Sequence, residues 1–204
     1  PIYPSSAMTT PALRRPISRL TFLLRSPPVT GSLPPLGLVI GGARSGKSSF
    51  AESLIAGTGR PRRYVATAEA WDDEMRDRIA QHRRDRGEGW ITVEAPLDLP
   101  AALAMARAEE VVLIDCATLW LTNHLLAGHD IAKETAALLA ALVACPAPVV
   151  IVSNETGWGI VPENALARRF RDEQGRLNQR LAQAADLVVT VIAGLPLALK
   201  GSLP

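Results

Sequence analysis

The chain has 204 residues, is 48% hydrophobic and carries a formal net charge of +2. That length predicts one domain with a sizeable core, and so small a charge gives no support to a nucleic-acid binder. No apolar run is long enough to span a membrane. The two cysteines, Cys116 and Cys145, lie in apolar stretches and show no metal-ligand spacing, which predicts buried, reduced thiols and a cytoplasmic protein.

Residues 1–36 are rich in proline, carry the pair Arg14-Arg15, and hold one short apolar patch, Leu20 to Leu24. They are expected to form a flexible extension, the alternative being a short membrane-surface or targeting segment. Residues 37–204 are expected to form the folded domain.

Leu38-Val39-Ile40 reads as a buried strand and Ser49 to Ala56 as a helix. Between them stands Gly41-Gly42-Ala43-Arg44-Ser45-Gly46-Lys47-Ser48, the G-x-x-x-x-G-K-[ST] pattern of a phosphate-binding P-loop in its strand–loop–helix context. Glycines let the backbone curl so that successive N–H groups point at one anion, and the helix start adds its positive dipole end. Lys47 is expected to reach the β- and γ-phosphates and the Ser48 hydroxyl to bind Mg²⁺.

Arg63 to Thr67 reads as a second strand, whose end, Thr67-Ala68-Glu69, is expected at the same sheet edge as the P-loop. The next helix runs from about Asp72 to Arg86, with acids in its first turn and arginines in its last, so both ends suit the dipole. Met75, Ile79 and His82 share one face by spacing. Histidine there is compatible with core packing, and also with nucleophilic chemistry on a phosphate among arginines. Trp90 to Glu94 resembles a short edge strand, and Leu97 to Ala108 an Ala/Leu helix.

Val111 to Ile114 closed by Asp115 reads as a buried strand ending in a carboxylate, a Walker-B pattern suited to organising Mg²⁺. Leu119 to Leu126 and Ile131 to Ala144 read as helices, and Pro148 to Ser153 as a further central strand. Asn154 to Pro162 is expected to be a loop and Glu163 to about Ala185 a long helix. On that helix Arg168, Arg169, Arg171, Arg176 and Arg180 form either a phosphate clamp or a solvated face paired with Asp172 and Glu173. Asp186 to Ala193 reads as a strand, with a last short one at Leu195 to Lys200. His124 and His129 are expected at the surface. Strands alternating with helices predict an α/β protein of the RecA-like P-loop NTPase class, with a mostly parallel central sheet and helices on both faces.

Several stretches together resemble one family. They are the P-loop, Tyr64 to Met75 (YVATAEAWDDEM), Arg78-Ile79 with His82-Arg83, Trp90 to Glu94, Ile114 to Asn123, and Ser153 to Asn178 (SNETGWGIVPENALARRFRDEQGRLN). The resemblance is to the bifunctional adenosylcobinamide kinase / adenosylcobinamide-phosphate guanylyltransferase of cobalamin synthesis, and runs from about Gly37 to Lys200. It implies phosphorylation of a cobinamide hydroxyl by ATP or GTP, then transfer of GMP from GTP through a guanylylated His82. It also implies nucleotide contacts from Gly41 to Ser48 and from Thr67, Ala68, Glu69, Arg83, Arg84, Asp85, Arg86, Glu94 and Asp115. Lys47 joins His82 in catalysis, and Ser48 and Asp115 hold Mg²⁺. A homotrimer is implied as well, with no nucleic-acid partner and no stable membrane insertion. The competing readings are a small-molecule kinase in which His82 only packs, and a non-catalytic nucleotide switch.

Overall fold

Six of the apolar runs pair as parallel strands: β1 (Leu36–Gly41), β2 (Arg62–Ala66), β3 (Trp90–Glu94), β4 (Val111–Asp115), β5 (Val149–Asn154) and β6 (Leu187–Ile192). A seventh, β7 (Leu195–Lys200), returns antiparallel to β6, and the sheet order is β3-β2-β4-β5-β1-β6-β7. The computed structural model describes residues 33–69 and 73–204, except for the side chains of residues 74, 75, 78, 79, 82, 83 and 85. The central strands are Val/Ile/Leu runs because both faces are covered, and Val111 to Ile114 are shut off from solvent. The strand expected at Leu38 starts earlier, at Leu36, and Leu33 already packs on the core.

One face of the sheet is covered by α1 (Lys47–Ala56), whose Phe50, Ala51, Leu54 and Ile55 pack on Val39, Leu113, Val150 and Val189. The other carries α3 (Leu99–Ala104), α4 (Ala117–Leu126), α5 (Ile131–Ala144) and α6 (Ala165–Ala184) around a second core cluster. The remaining helix, α2 (Asp73–Arg86), returns its last residue to the α1 face, where Arg86 stacks on Tyr64. Asp72 lies outside the described residues.

Where helix ends differ from expectation, local chemistry explains the shift. The Leu97–Ala108 helix shortens to α3 because Asp98 caps it, accepting from Ala101 N at 3.0 Å, and Pro100 sits in its first turn. Its expected C-terminal part turns away instead, and Arg107 N donates to Glu110 Oε2 at 3.0 Å. Asn164 caps α6 through Leu166 N and Ala167 N, so the helix begins at Ala165. Asp130 caps α5 and places its start as expected.

The surface assignment of His124 is overturned: it is 2% exposed. Its helix packs on β5, α6 and α5, and its imidazole Nε2–H donates to Leu97 O at 3.1 Å. Because a carbonyl only accepts, Nδ1 of neutral His124 is left to accept from His129 Nδ1–H at 2.9 Å. His129 itself is exposed, as expected. Cys116 is buried and Cys145 half-buried, both free thiols.

Candidate nucleotide site

The C-terminal ends of β1, β2, β3, β4 and β5 lie along one edge of the sheet, where open α/β sheets bind ligands. The P-loop leaves β1 at this edge. It turns through Arg44 (φ 56°) and Gly46 (φ 94°), both left-handed, and enters α1 at Lys47. A side chain at Gly41 would meet Ser45 Oγ at 2.5 Å and Val191 O at 2.6 Å, so the curl closes only over glycine. At Gly42 an added Cβ would meet nothing within 4 Å, so this part of the loop faces open space.

Three of the helices have side-chain caps, from Asp98, Asp130 and Asn164, but α1 has none and no acid in its first turn. Its first amides are thus left for an anion. Lys47 Nζ curls back across the loop to donate to Gly42 O at 3.2 Å. The β6–β7 hairpin braces the loop from behind. Its two-residue turn, Ala193 (φ 52°) and Gly194 (φ 80°), delivers Gly194 N to Ser45 O at 2.8 Å. Among the described residues Ser45 Oγ is buried without a hydrogen-bond partner.

Asp115 ends β4 two strands away, beyond β5, and its Oδ2 accepts from Tyr64 Oη at 3.2 Å. Burial, then the Asp115 charge, raises the Tyr64 pKa far above the usual phenol range, so the hydroxyl stays a donor. Burial and Asp115 likewise push the Cys116 thiol up to about 11. Arg86 lies over Tyr64, its Cζ 3.4 Å from the ring centroid, and donates Nη2 to Thr92 Oγ1 at 3.4 Å.

Thr67 is fully buried and works as a knot. Its hydroxyl donates to Cys116 O at 2.8 Å and accepts from Cys116 N at 2.7 Å. Asn123 Nδ2 donates to Thr67 O and Pro96 O, each at 2.9 Å, joining the loops after β2 and β3. Ala68 and Glu69 are half-buried beyond this knot, and Glu94 is exposed at the end of edge strand β3. Ala66 pairs with both Glu94 and Asp115, so the two acids flank β2. Arg84 is exposed and donates to Gln81 Oε1 at 2.7 Å. His82, Arg83 and Asp85 belong to α2, and their side chains lie outside the described residues.

Three arginines of α6, Arg168, Arg171 and Arg176, find partners nearby. Arg176 pairs with Glu173 at 2.8 Å and Arg171 approaches Asp172 at 3.7 Å, while Arg168 donates to Pro162 O at 2.9 Å and to Glu163 O. Arg171 and Arg176 thus take the acids of their own helix as partners.

Sequence reasoning did not single out three supporting features. One is the β6–β7 turn behind the loop. Another is the buried pair Arg63–Glu110, bonded at 2.9 and 3.0 Å. The third is the network in which Ser153 Oγ donates to Asn178 Oδ1 at 2.6 Å and Gln174 Nε2 donates to both, linking the end of β5 to α6. Buried polar residues within an apolar run, such as Ser153, and the Ala-Gly step between two strands were the available signals.

The site fits a metal-bound nucleotide. The loop has an open face, an uncapped helix start and an orphaned buried hydroxyl. The nearby donors, Ser48 and Asp115, are hard oxygens. Among the described residues no cluster of three or more His, Cys, Asp or Glu could hold a metal alone. Mg²⁺ typically takes one or two protein oxygens and the rest from phosphate and water.

A family model described as cobinamide kinase / cobinamide phosphate guanyltransferase matches residues 37–199. The bifunctional adenosylcobalamin biosynthesis protein CobP of Pseudomonas aeruginosa is 48% identical over 167 residues, covering 80% of this chain and 96% of that protein. The bifunctional adenosylcobalamin biosynthesis protein CobU of Escherichia coli is 46% identical over 179 residues, covering 80% and 98%. Among solved structures, PH0250 from Pyrococcus horikoshii superposes with a TM-score of 0.51 at 7% identity, over 84% of this chain and 89% of that one, a likeness of fold alone.

Proposed function

The chain belongs to the cobinamide kinase / cobinamide phosphate guanyltransferase family, a bifunctional enzyme of cobalamin synthesis, and we propose how its residues divide the two reactions. In the first, the P-loop amides and Lys47 hold the triphosphate of ATP or GTP. The substrate hydroxyl attacks the γ-phosphorus, its proton leaves, and the nucleoside diphosphate departs. Little covalent chemistry is asked of the protein; positioning and charge neutralisation do the work. Ser48 and Asp115 would hold Mg²⁺, which would neutralise charge on the phosphates.

In the second reaction the ring nitrogen of His82 attacks the α-phosphorus of GTP and pyrophosphate leaves. An oxygen of the cobinamide phosphate then takes the GMP, the P–N bond breaks, and adenosyl-GDP-cobinamide forms. A covalent intermediate splits one transfer between two bulky substrates into two smaller steps. Arg83, Arg84, Asp85, Arg86, Thr67, Ala68, Glu69 and Glu94 are assigned to the nucleotide. For Thr67 the role is structural, because its hydroxyl is consumed by Cys116. The catalytic unit expected at 37–204 extends back to Leu33, which packs on the core, a reading supported by the family match over 37–199. We further assign the enzyme to the cytoplasm and to a homotrimer without nucleic-acid partners.

The observation that carries this reading is the uncapped start of α1 with Lys47 folded across it, at the same sheet edge as Asp115. The test is incubation with α-labelled GTP and Mg²⁺ in the absence of corrinoid, for the wild type beside His82→Ala. Acid-labile, alkali-stable label on the wild type alone is expected. No label on a wild type that still binds nucleotide would remove the guanylyl transfer, and label persisting on His82→Ala would move the nucleophile elsewhere.

A further inference from the structure

Tyr64 is 8% exposed, on a face where a phenylalanine would fill the same apolar slot. Its hydroxyl therefore calls for an explanation, since burying one without a partner is unfavourable. The partner is set by strand register. Tyr64 lies opposite Leu113 and Ala66 opposite Asp115, so Tyr64 and Asp115 are diagonal neighbours on one face, a gap a long aromatic side chain crosses. The hydroxyl donates to Asp115 Oδ2 and leaves Oδ1 for a cation.

The ring itself is held by the last residue of α2. Arg86 stacks on it, and Trp90 meets it edge-on, with centroids 6.0 Å apart. Among the described residues Arg86 Nε and Trp90 Nε1 are buried without hydrogen-bond partners, and the stacking, the Thr92 contact and a hydrogen bond from Arg62 Nη2 to Glu88 O hold this end of α2 against the sheet. The carboxylate at the end of β4 and the helix carrying His82 thus meet on a single side chain.

We propose that Tyr64 is a positioning residue that orients the Asp115 carboxylate for the catalytic metal and couples that orientation to the seating of α2 through Arg86. This rests on the reading above that Asp115 serves Mg²⁺. Partners that orient a metal-binding carboxylate typically change affinity or activity by 10–100-fold when removed, and a single neutral hydroxyl belongs at the lower end.

The test uses Mn²⁺ as a spectroscopic substitute, titrated by electron paramagnetic resonance in the presence of a non-hydrolysable GTP analogue. Tyr64→Phe is expected to bind Mn²⁺ about tenfold more weakly and to lose a similar factor in kcat for phosphorylation, with KM for cobinamide unchanged. Mn²⁺ affinity within twofold of wild type would overturn the proposal. Asp115→Asn separates the two levels. If it binds Mn²⁺ as wild type does, the metal reading itself fails; if it loses Mn²⁺ while Tyr64→Phe does not, only the positioning role fails. A second measurement needs no variant. The chain has two tyrosines, Tyr3 and Tyr64, so ring-¹³C tyrosine labelling gives a simple spectrum. The Tyr64 signal is expected to shift when Mg²⁺ is added to the nucleotide complex, and an unmoved signal would refute the coupling.

Discussion

Gly41→Ala tests the closure of the phosphate loop directly. The added methyl would stand 2.5 Å from Ser45 Oγ, 3.2 Å from Ser45 Cβ and 2.6 Å from Val191 O. Ordinary carbon contacts begin near 3.4 Å, so the loop must retreat by about 0.8 Å. A serine hydroxyl can rotate away, but the Val191 carbonyl belongs to β6, which is paired on both sides by β1 and β7, so relief has to come from the backbone of the loop. Overpacking of this kind destabilises by about 1–3 kcal/mol. For a protein of this size that lowers Tm by roughly 2–12 °C. If the strain is confined to the P-loop, the same energy appears as a loss of about 5- to 150-fold in nucleotide affinity. Gly42→Ala is the control: its methyl meets nothing within 4 Å, so stability should stay within about 0.5 kcal/mol of wild type. Thermal unfolding and calorimetric nucleotide titration read both quantities. Gly41→Ala with both the Tm and the nucleotide affinity of wild type, or a Gly42→Ala variant as unstable as Gly41→Ala, would refute the reasoning.

Glu110→Gln strands the Arg63 guanidinium at 6% exposure and is expected to lose about 3–5 kcal/mol in urea unfolding, most of it recovered in the Arg63→Met/Glu110→Leu double variant. The Arg63 hydrogen bonds hold the Glu110 carboxyl below its usual range. The pair's contribution is therefore complete above about pH 4.3 and declines as pH falls toward the folded-state value; the urea midpoint followed through acid pH reports it. Burial lowers the His124 pKa, so the unfolded chain takes up this proton first, and stability should decline as pH drops below about 6.5. That slope should flatten in His124→Gln, and an unchanged slope would refute the assignment. With its pKa near 11, Cys116 is roughly one part in a thousand thiolate at pH 8. A chromogenic thiol reagent should therefore titrate it only after unfolding, and rapid reaction of both cysteines in the native protein would contradict its burial.

The features legible in the chain are those whose causes are local. A P-loop needs glycines at fixed offsets, a lysine and a flanking strand and helix, and Gly41 to Ser48 carry all of this in eight consecutive residues. Val111 to Asp115 declared a buried strand ending in an acid, and α5 began as expected because its cap, Asp130, is adjacent in sequence. Long-range pairing decided the rest. Tyr64 meets Asp115 because β2 and β4 are neighbours in a particular register, which neither segment encodes alone. Glu110, two residues beyond the expected helix, reaches Arg63, 47 residues away. His124 sits in a segment with polar neighbours, yet it is buried against Trp120, His129 and the Leu97 carbonyl, the last 27 residues away. The phosphate-binding element and the order of strands and helices were thus determined by the sequence itself, through turn geometry and the period of apolar residues. Which side chains brace that element, and which one holds its carboxylate, was decided only when non-consecutive strands came together, because those contacts depend on register and packing between segments far apart in the chain.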